Sequence, residues 1–183
     1  MNHGQRHGRL TKHLLFDAGT STFSSSLRWF SCAYSQRKMS FDQIYGWELQ
    51  LLEPIRFWRQ VPEKWKAFYH FFNTPVEAGL ESEHSPLRII QQLATVDDFV
   101  SFKLDIDCPS VEIPVVQQIL KHHHLANLID EFFFELHFNC EIMMFCGWGT
   151  HPEVLFDQKL DRYSALQLFR DLRMSGVRAH FWP

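Results

Sequence analysis

Two short groups of ionisable residues, each directly after an apolar run rich in phenylalanine, are the most informative feature of the sequence. The first group contains Lys103, Asp105 and Asp107, and the second contains Glu135 and His137. Apolar runs of this length are typical of buried strands. Open α/β sheets bind ligands beyond the carboxyl ends of their strands. The pattern therefore predicts two carboxylates, a lysine and a Glu-x-His pair at one cleft.

Each acid in these groups has a functional interpretation and a structural alternative. Asp105, at a strand end, is suited to hold a cofactor amine, bind a cation or orient a substrate hydroxyl. Asp107 also suits the N-cap of the following helix, which would leave Asp105 as the stronger functional candidate. Side chains alternate along a strand, so Glu135 and His137 point to the same side. Histidine is the usual general base near neutral pH, although a buried structural His–acid hydrogen bond explains this pair equally well.

A glycine turn and a later acid form a second candidate region. Asp17, Gly19 and Ser21 lie in a turn between an apolar strand and a helix. A glycine there lets the backbone approach a ligand, and the helix N-terminus offers free amides. One glycine does not make the GxGxxG pattern, so an ordinary turn remains the alternative. Glu48 ends a second strand 29 residues after Gly19, and nucleotide-binding α/β domains use an acid there for the ribose hydroxyls.

These residues are positioned by a predicted alternation of strands and helices. Strands are predicted at 13–17, at 44–48, at 68–72, up to Asp107, at 132–136 and at 177–182. Helices are predicted at 24–34, from Pro54, from Pro86, from Pro109 and around Tyr163, Leu166, Phe169 and Leu172, with Gly176 as the last C-cap. Residues 1–12 are expected to be a flexible segment, and 139–159 an irregular one. This alternation predicts a parallel sheet covered on both faces.

The composition limits the number of domains, the class of partner and the compartment. A chain of 183 residues with 45% hydrophobic and 21% charged residues is expected to fold as one domain. A net charge of −3 gives no electrostatic reason for nucleic acid as the main partner. No apolar run approaches the roughly 20 residues that span a membrane. Four cysteines without CxxC spacing are interpreted as reduced thiols, which favours the cytoplasm unless a longer precursor carries a signal for a lumenal compartment.

Taken together, the motifs resemble the FkbM-like branch of S-adenosylmethionine-dependent methyltransferases. The matching features are the glycine turn at 16–19, Glu48, the Lys-x-Asp-x-Asp strand end at 103–107, the Glu-x-His at 135–137 and the Ser-Gly-Val at 175–177. The resemblance covers residues 13–182. It implies a class I methyltransferase-like, Rossmann-like three-layer α/β domain over residues 13–183. Its sheet would be mainly parallel and could lack the last antiparallel strand.

The resemblance also implies a cofactor and roles for individual residues. S-adenosylmethionine is the expected cofactor, with Asp17, Gly19 and Ser21 lining its methionine part and Glu48 its ribose. Asn73 and Thr74 would lie near the adenine. The expected reaction is methylation of a hydroxyl on a small molecule or sugar, with His137 or Asp105 as the catalytic base. Lys103, Asp107 and Glu135 would support these residues or contact the substrate, and no metal ion is assigned.

Two other functions fit the same residues. The chain could be a catalytically silent relative that binds a partner through an aromatic surface and the 139–159 loop. It could also be a metal-dependent enzyme whose hard oxygen and imidazole ligands are Asp105, Asp107, Glu135 and His137. The consecutive histidines at 122–124 are not a metal candidate, because neighbouring helical positions point about 100° apart. The oligomeric state does not follow from the sequence.

Overall fold

The computed structural model describes residues 10–137, 154–155, 158–159 and 161–182. Its strands are β1 (His13–Ala18), β2 (Gln43–Trp47), β3 (Tyr69–Phe72), β4 (Phe99–Leu104), β5 (Glu131–Phe134), β6 (Val154–Leu155), β7 (Gln158–Lys159) and β8 (Arg178–Phe181). Six of them form one sheet in the order β3-β2-β1-β4-β5-β8. Every neighbouring pair in that sheet is parallel. β6 and β7 form a separate antiparallel pair.

Seven helices are described between these strands. They are α1 (Ser26–Gln36), α2 (Pro54–Gln60), α3 (Glu63–Lys66), α4 (Pro86–Leu93), α5 (Pro109–Lys121), α6 (His123–Ala126) and α7 (Arg162–Met174). Pro54, Pro86 and Pro109 each occupy the first helical position, as predicted. Gly176, with φ +100°, follows the end of α7 in a conformation that favours glycine.

The helices cover both faces of the sheet, which confirms the predicted three layers. On one face, α4, α5 and α7 pack against strand residues such as Phe16, Phe102 and Phe134. On the other face, α1, α2 and α3 pack against Leu15 and Ile44. Because successive strand side chains point to opposite faces, each central strand contributes to both layers of the core. The fold is therefore an α/β fold of Rossmann-like type.

The strand order creates a crevice beside β1. From β1 the chain moves outward to β2 and β3, and then returns to the other side of β1 to form β4. In open α/β sheets, ligands bind at such a switch point, outside the carboxyl ends of the strands. The candidate residues after β1, β2 and β4 therefore share one edge of the sheet.

Two element predictions need correction. β4 ends at Leu104 rather than at Asp107, because the backbone turns at Asp107, whose φ of +53° is not compatible with a strand. β5 ends at Phe134 rather than at residue 136. The last predicted helix is confirmed, because α7 contains all four residues named for it. Phe169 and Leu172 lie on its buried face with Ala165 and Leu168, whereas Tyr163 and Leu166 are 76% and 56% exposed.

The predicted irregular segments lie largely outside the described residues. Residues 1–9 and 138–153 are outside them, as are Cys140 and Cys146. Cys32 and Cys108 carry free thiols. Lys12, at the end of the predicted flexible segment, donates its backbone N–H to Asp98 Oδ1 at 2.9 Å, which ties it to the turn before β4. Among the described helices, none has the length and apolar character that crossing a membrane requires.

Candidate functional site

A cleft of about 580 Å³ opens at the carboxyl edge of β1, β2 and β4. Four chain segments form its walls: the turn after β1, the residues after β2, the loop after β3 and the segment after β4. The lining residues are Gly19, Ser21, Trp47, Glu48, Leu49, Gln50, Thr74, Pro75, Val76, Asp105, Ile106, Asp107, Cys108 and Val111. The cleft therefore lies at the switch point and contains six of the predicted site residues.

Gly19 forms the tightest contact at the base of this cleft. Its φ is +85°, and a Cβ built on it would lie 1.5 Å from the backbone oxygen of Asp105. The backbone N–H groups of Gly19 and Thr20 both donate to the carbonyl of Trp47 at 3.0 Å. The sequence predicts that this glycine lets the backbone approach a ligand. In the structure, the group that demands a glycine is the carbonyl of Asp105.

Glu48 holds two loops of the cleft together through its carboxylate. Its Oε2 accepts the backbone N–H of Ser21 at 2.9 Å, and its Oε1 accepts that of Gln50 at 2.7 Å. Ser21 has a φ of +39°, so this hydrogen bond supports an uncommon backbone conformation. Each carboxylate oxygen has a second lone pair. Glu48 can therefore accept further hydrogen bonds from a ligand in the cleft.

Asn73 and Thr74 have different surroundings. The Asn73 side chain donates to the carbonyls of Glu48 and Gln50 at 2.8 and 2.7 Å, and accepts the N–H of Leu52 at 2.9 Å. Its amide is thereby used to shape the loop after β2, and Asn73 is not among the residues that line the cleft. Thr74 does line it. Of this predicted pair, only Thr74 is placed to touch a ligand.

A buried ion network lies beneath the glycine turn. The Lys103 Nζ, in a side chain that is 1% exposed, lies 3.1 Å from Asp17 Oδ1 and 2.9 Å from Asp105 Oδ2. It also donates to the carbonyl of Gly19 at 3.1 Å. Burial alone would lower the pKa of Lys103, but the charges of Asp17 and Asp105 outweigh burial and raise it. Lys103 is therefore charged, and it fixes the glycine turn through its contacts with Asp17 and the Gly19 carbonyl. Neither Lys103 nor Asp17 lines the cleft.

Asp105 and Glu135 form a hydrogen-bonded pair of carboxyl groups. Burial acts to raise the pKa of Asp105, but hydrogen bonds from Glu135, Lys103 and Trp182 and the charge of Lys103 lower it. The pKa of Glu135 is raised by burial and by the neighbouring Asp105. Of the two carboxyl groups Glu135 is therefore the one that takes up a proton more readily, and Asp105 presents a charged carboxylate to the cleft.

His137 lies at the rim, beside two of these acids. Its Nε2 is 3.5 Å from Glu135 Oε2 and 3.8 Å from Asp107 Oδ1. The side chain of Asp107 is 76% exposed, whereas those of Glu135 and His137 are largely buried. We call Asp107, Glu135 and His137 the rim cluster. The structure thus brings Asp105 and His137 to the same sheet edge, but Asp105 lines the cleft with Gly19 while His137 contacts it through Asp107 and Glu135.

Sequence reasoning from polar motifs missed the apolar walls of the cleft. Leu49, Val76, Ile106 and Val111 line it, and Leu49 is 68% exposed. In the sequence Leu49 directly follows Glu48. That position indicates an apolar wall of the cleft only if Glu48 is already assumed to bind the ligand. These residues give the cleft surfaces against which a flat ring can pack.

A second groove, of about 690 Å³, runs between α1 and β8 on the opposite face from α5. Trp29, Phe133, His180 and Trp182 line it, together with Tyr34, which donates a hydrogen bond to Glu131. The alternative of a partner-binding protein needs an aromatic surface of this kind together with the 139–159 loop, most of which lies outside the described residues. The groove shares no lining residue with the cleft at the switch point.

Comparisons of the chain with protein-family models, curated proteins and solved structures gave no match. Its function therefore has to be inferred from the geometry of the cleft and the chemistry of the side chains around it. Those side chains are a carboxylate after β2, a charged carboxylate after β4 and a group of apolar walls.

Proposed function

We propose that the chain binds S-adenosylmethionine in the cleft and transfers its methyl group to a hydroxyl of a small molecule or sugar. The observation that carries the proposal is the set of three groups around one cleft. A glycine turn follows β1, Glu48 follows β2 and Asp105 follows β4, all lining the same space. The volume of about 580 Å³ lies within the range of small-molecule sites.

The lining residues fit the parts of this cofactor. Glu48 has free lone pairs for the two ribose hydroxyls, and the charged carboxylate of Asp105 suits the ammonium group of the methionine part. Leu49, Val76 and Val111 provide apolar surface for the adenine ring. Asp17 would act from outside the cleft, because its carboxylate is buried and paired with Lys103.

A dinucleotide fits the same sheet order less well. The order β3-β2-β1-β4-β5-β8 with every pair parallel is shared with dinucleotide-binding domains. Those domains use three glycines in the first turn so that the backbone can approach a pyrophosphate. Here the turn has only Gly19, and its backbone already approaches the carbonyl of Asp105. The turn therefore favours a nucleoside without a pyrophosphate.

The bound cofactor would supply an electrophilic methyl group, and the protein would supply alignment and a place for the acceptor's proton. Holding the two reactants in line contributes much of the rate in such a displacement. Asp105 and Asp107 line the cleft where an acceptor hydroxyl would enter. His137 lies 3.8 Å from Asp107, outside the lining of the cleft, so we assign it as the general base for an acceptor hydroxyl that binds at the rim beside Asp107.

Calorimetric titration of the purified chain with S-adenosylmethionine tests the proposal. We expect saturable binding that Glu48→Gln weakens by about 1.5–3 kcal/mol, the contribution of hydrogen bonds to a charged group. Glu81→Gln, an exposed position outside the cleft, is the matched control and should leave binding unchanged. Failure to bind S-adenosylmethionine, or preferential binding of NAD, would overturn the proposal.

A further inference from the structure

Three metal-ligating atoms converge at the rim cluster. One atom each from Asp107, Glu135 and His137 can be chosen so that all three lie within 4.8 Å of one another. The His137 Nε2 lies 3.5 Å from a Glu135 oxygen and 3.8 Å from an Asp107 oxygen. Ligands bound to one ion at roughly 2.0–2.2 Å are separated by about 3.0–3.6 Å. Small side-chain adjustments would therefore bring these three atoms around one ion.

We propose that the rim cluster binds a divalent transition-metal ion. Imidazole nitrogen suits Zn²⁺ and its neighbours in the series, and carboxylate oxygen suits harder ions such as Mn²⁺. A set of one imidazole and two carboxylates therefore selects the range from Mn²⁺ to Zn²⁺ over Mg²⁺ and Ca²⁺. Three protein ligands leave coordination positions open, which is the arrangement of catalytic rather than structural sites.

The groups behind the rim cluster support this assignment. Glu135 lies beside Asp105, and Asp105 is held by Lys103 Nζ at 2.9 Å; any proton shared by the two carboxyl groups would leave when Glu135 binds an ion. Such outer partners orient ligating carboxylates. The single positive charge of Lys103 is already balanced by buried Asp17, so the carboxylates of Asp105 and Asp107 favour a further cation nearby. Asp107 is exposed and Glu135 is buried, which gives an ion both a path from solvent and an inner anchor.

The site has a consequence for catalysis that rests on the proposed function. Asp107 belongs both to the rim cluster and to the lining of the cleft. An ion at the rim would therefore bind an acceptor hydroxyl that enters the cleft and lower its pKa. In the metal-bound protein, His137 would be a ligand instead of the general base.

Titration of the metal-free purified chain with Co²⁺ tests the site, because bound Co²⁺ gives a visible absorption that reports its ligands. We expect one saturable Co²⁺ per chain, with affinity reduced at least about tenfold in His137→Gln and in Asp107→Asn. The Asp107→Asn variant should fold normally, because the position is exposed and asparagine tolerates its φ of +53°.

His84→Gln is the matched control. His84 lies 3.8 Å from Glu83, a His–Glu pair at a distance similar to that in the rim cluster, and its substitution should leave the titration unchanged. No saturable Co²⁺ binding, or binding that both rim variants leave unaltered, would overturn the proposal. The titration contains no S-adenosylmethionine. A chain that binds Co²⁺ but not S-adenosylmethionine would thus refute the proposed function and retain the metal site.

Discussion

Gly19 and Asp105 touch so closely that no side chain fits between them. A Cβ at Gly19 would lie 1.5 Å from the Asp105 backbone oxygen, and the backbone N–H of Asp105 donates to the carbonyl of Ala18 at 3.1 Å. These contacts join the turn after β1 to the segment after β4. Since both segments line the cleft, the shape of its base depends on a residue without a side chain.

The first prediction separates the effect of the Gly19–Asp105 contact on stability from the effect of a positive φ alone. Gly19→Ala should destabilise the fold by about 2–5 kcal/mol, because a left-handed φ and a backbone clash add together. Gly176→Ala also has a positive φ but open space around it, so it should cost only about 1–2 kcal/mol. Gly79→Ala, with neither feature, should change the free energy of unfolding by less than about 0.5 kcal/mol. Urea denaturation measures all three, and equal losses for Gly19 and Gly176 would contradict the contact.

The second prediction concerns the buried cation. Lys103→Met should destabilise the protein by about 3–5 kcal/mol, because it leaves Asp17 and Asp105 without their shared partner. Lys66→Met is the control: Lys66 pairs with Glu63 at 2.8 Å on the surface, where such pairs contribute at most about 1 kcal/mol. Comparable unfolding free energies for the two variants would show that the buried charge of Lys103 does not stabilise the fold.

The third prediction distinguishes binding from folding at Asp105. Asp105→Asn leaves the Lys103–Asp17 pair intact, so the fold should remain and S-adenosylmethionine binding should weaken by about 1.5–3 kcal/mol. Asp97→Asn, at an exposed position away from the cleft, should have no effect on binding. A melting temperature that collapses in Asp105→Asn while the folded fraction binds normally would assign Asp105 a structural role.

The fourth prediction is a pH dependence of stability that comes from His180. Burial lowers the pKa of His180 below its ordinary 6.5 against the opposing charge of Glu131, and the charges of Arg173 and Arg178 add to the effect of burial. Its Nε2 has no hydrogen-bond partner among the residues that the structure describes. Between the lowered pKa and 6.5 the unfolded chain binds more protons than the folded one. Stability should therefore rise with pH across that window and then level off.

His180→Phe tests this dependence. The ring of His180 stacks on Phe133 with centroids 4.6 Å apart, so phenylalanine can keep the packing and remove the titration. The free energy of unfolding, measured from pH 5 to pH 8, should then rise less steeply below pH 6.5 than in the parent protein. An identical slope in both proteins would refute the assignment to His180.

Local chemistry made several elements predictable. Proline lacks an N–H and has a fixed φ, so Pro54, Pro86 and Pro109 identified three helix starts from the sequence alone. The apolar runs that became β1, β4 and β5 were equally clear, because a buried parallel strand needs apolar side chains on both faces. Each of these features depends on residues within a few positions of one another.

Features that depend on distant contacts could not be predicted. In α7, Tyr163 and Leu166 share helical spacing with residues of the buried face, and only packing against the sheet decides which stripe is covered. Asn73 looked suited to a ligand, but the path of the loop after β2 places three backbone groups around its amide. The contact of Gly19 with Asp105 joins positions whose pairing requires the complete sheet.

The central strand pair also has a consequence for how the molecule reaches its native state. β1 and β4 are hydrogen-bonded neighbours, yet the Lys12–Asp98 contact at their start joins residues 86 positions apart in the chain. Closing so long a loop costs conformational entropy before any pairing energy is gained, and folding dominated by distant contacts is slow. The cleft is lined by the segments after β1 and β4, so it cannot form before these strands pair. In refolding experiments, ligand binding should therefore appear only with the slowest kinetic phase of folding.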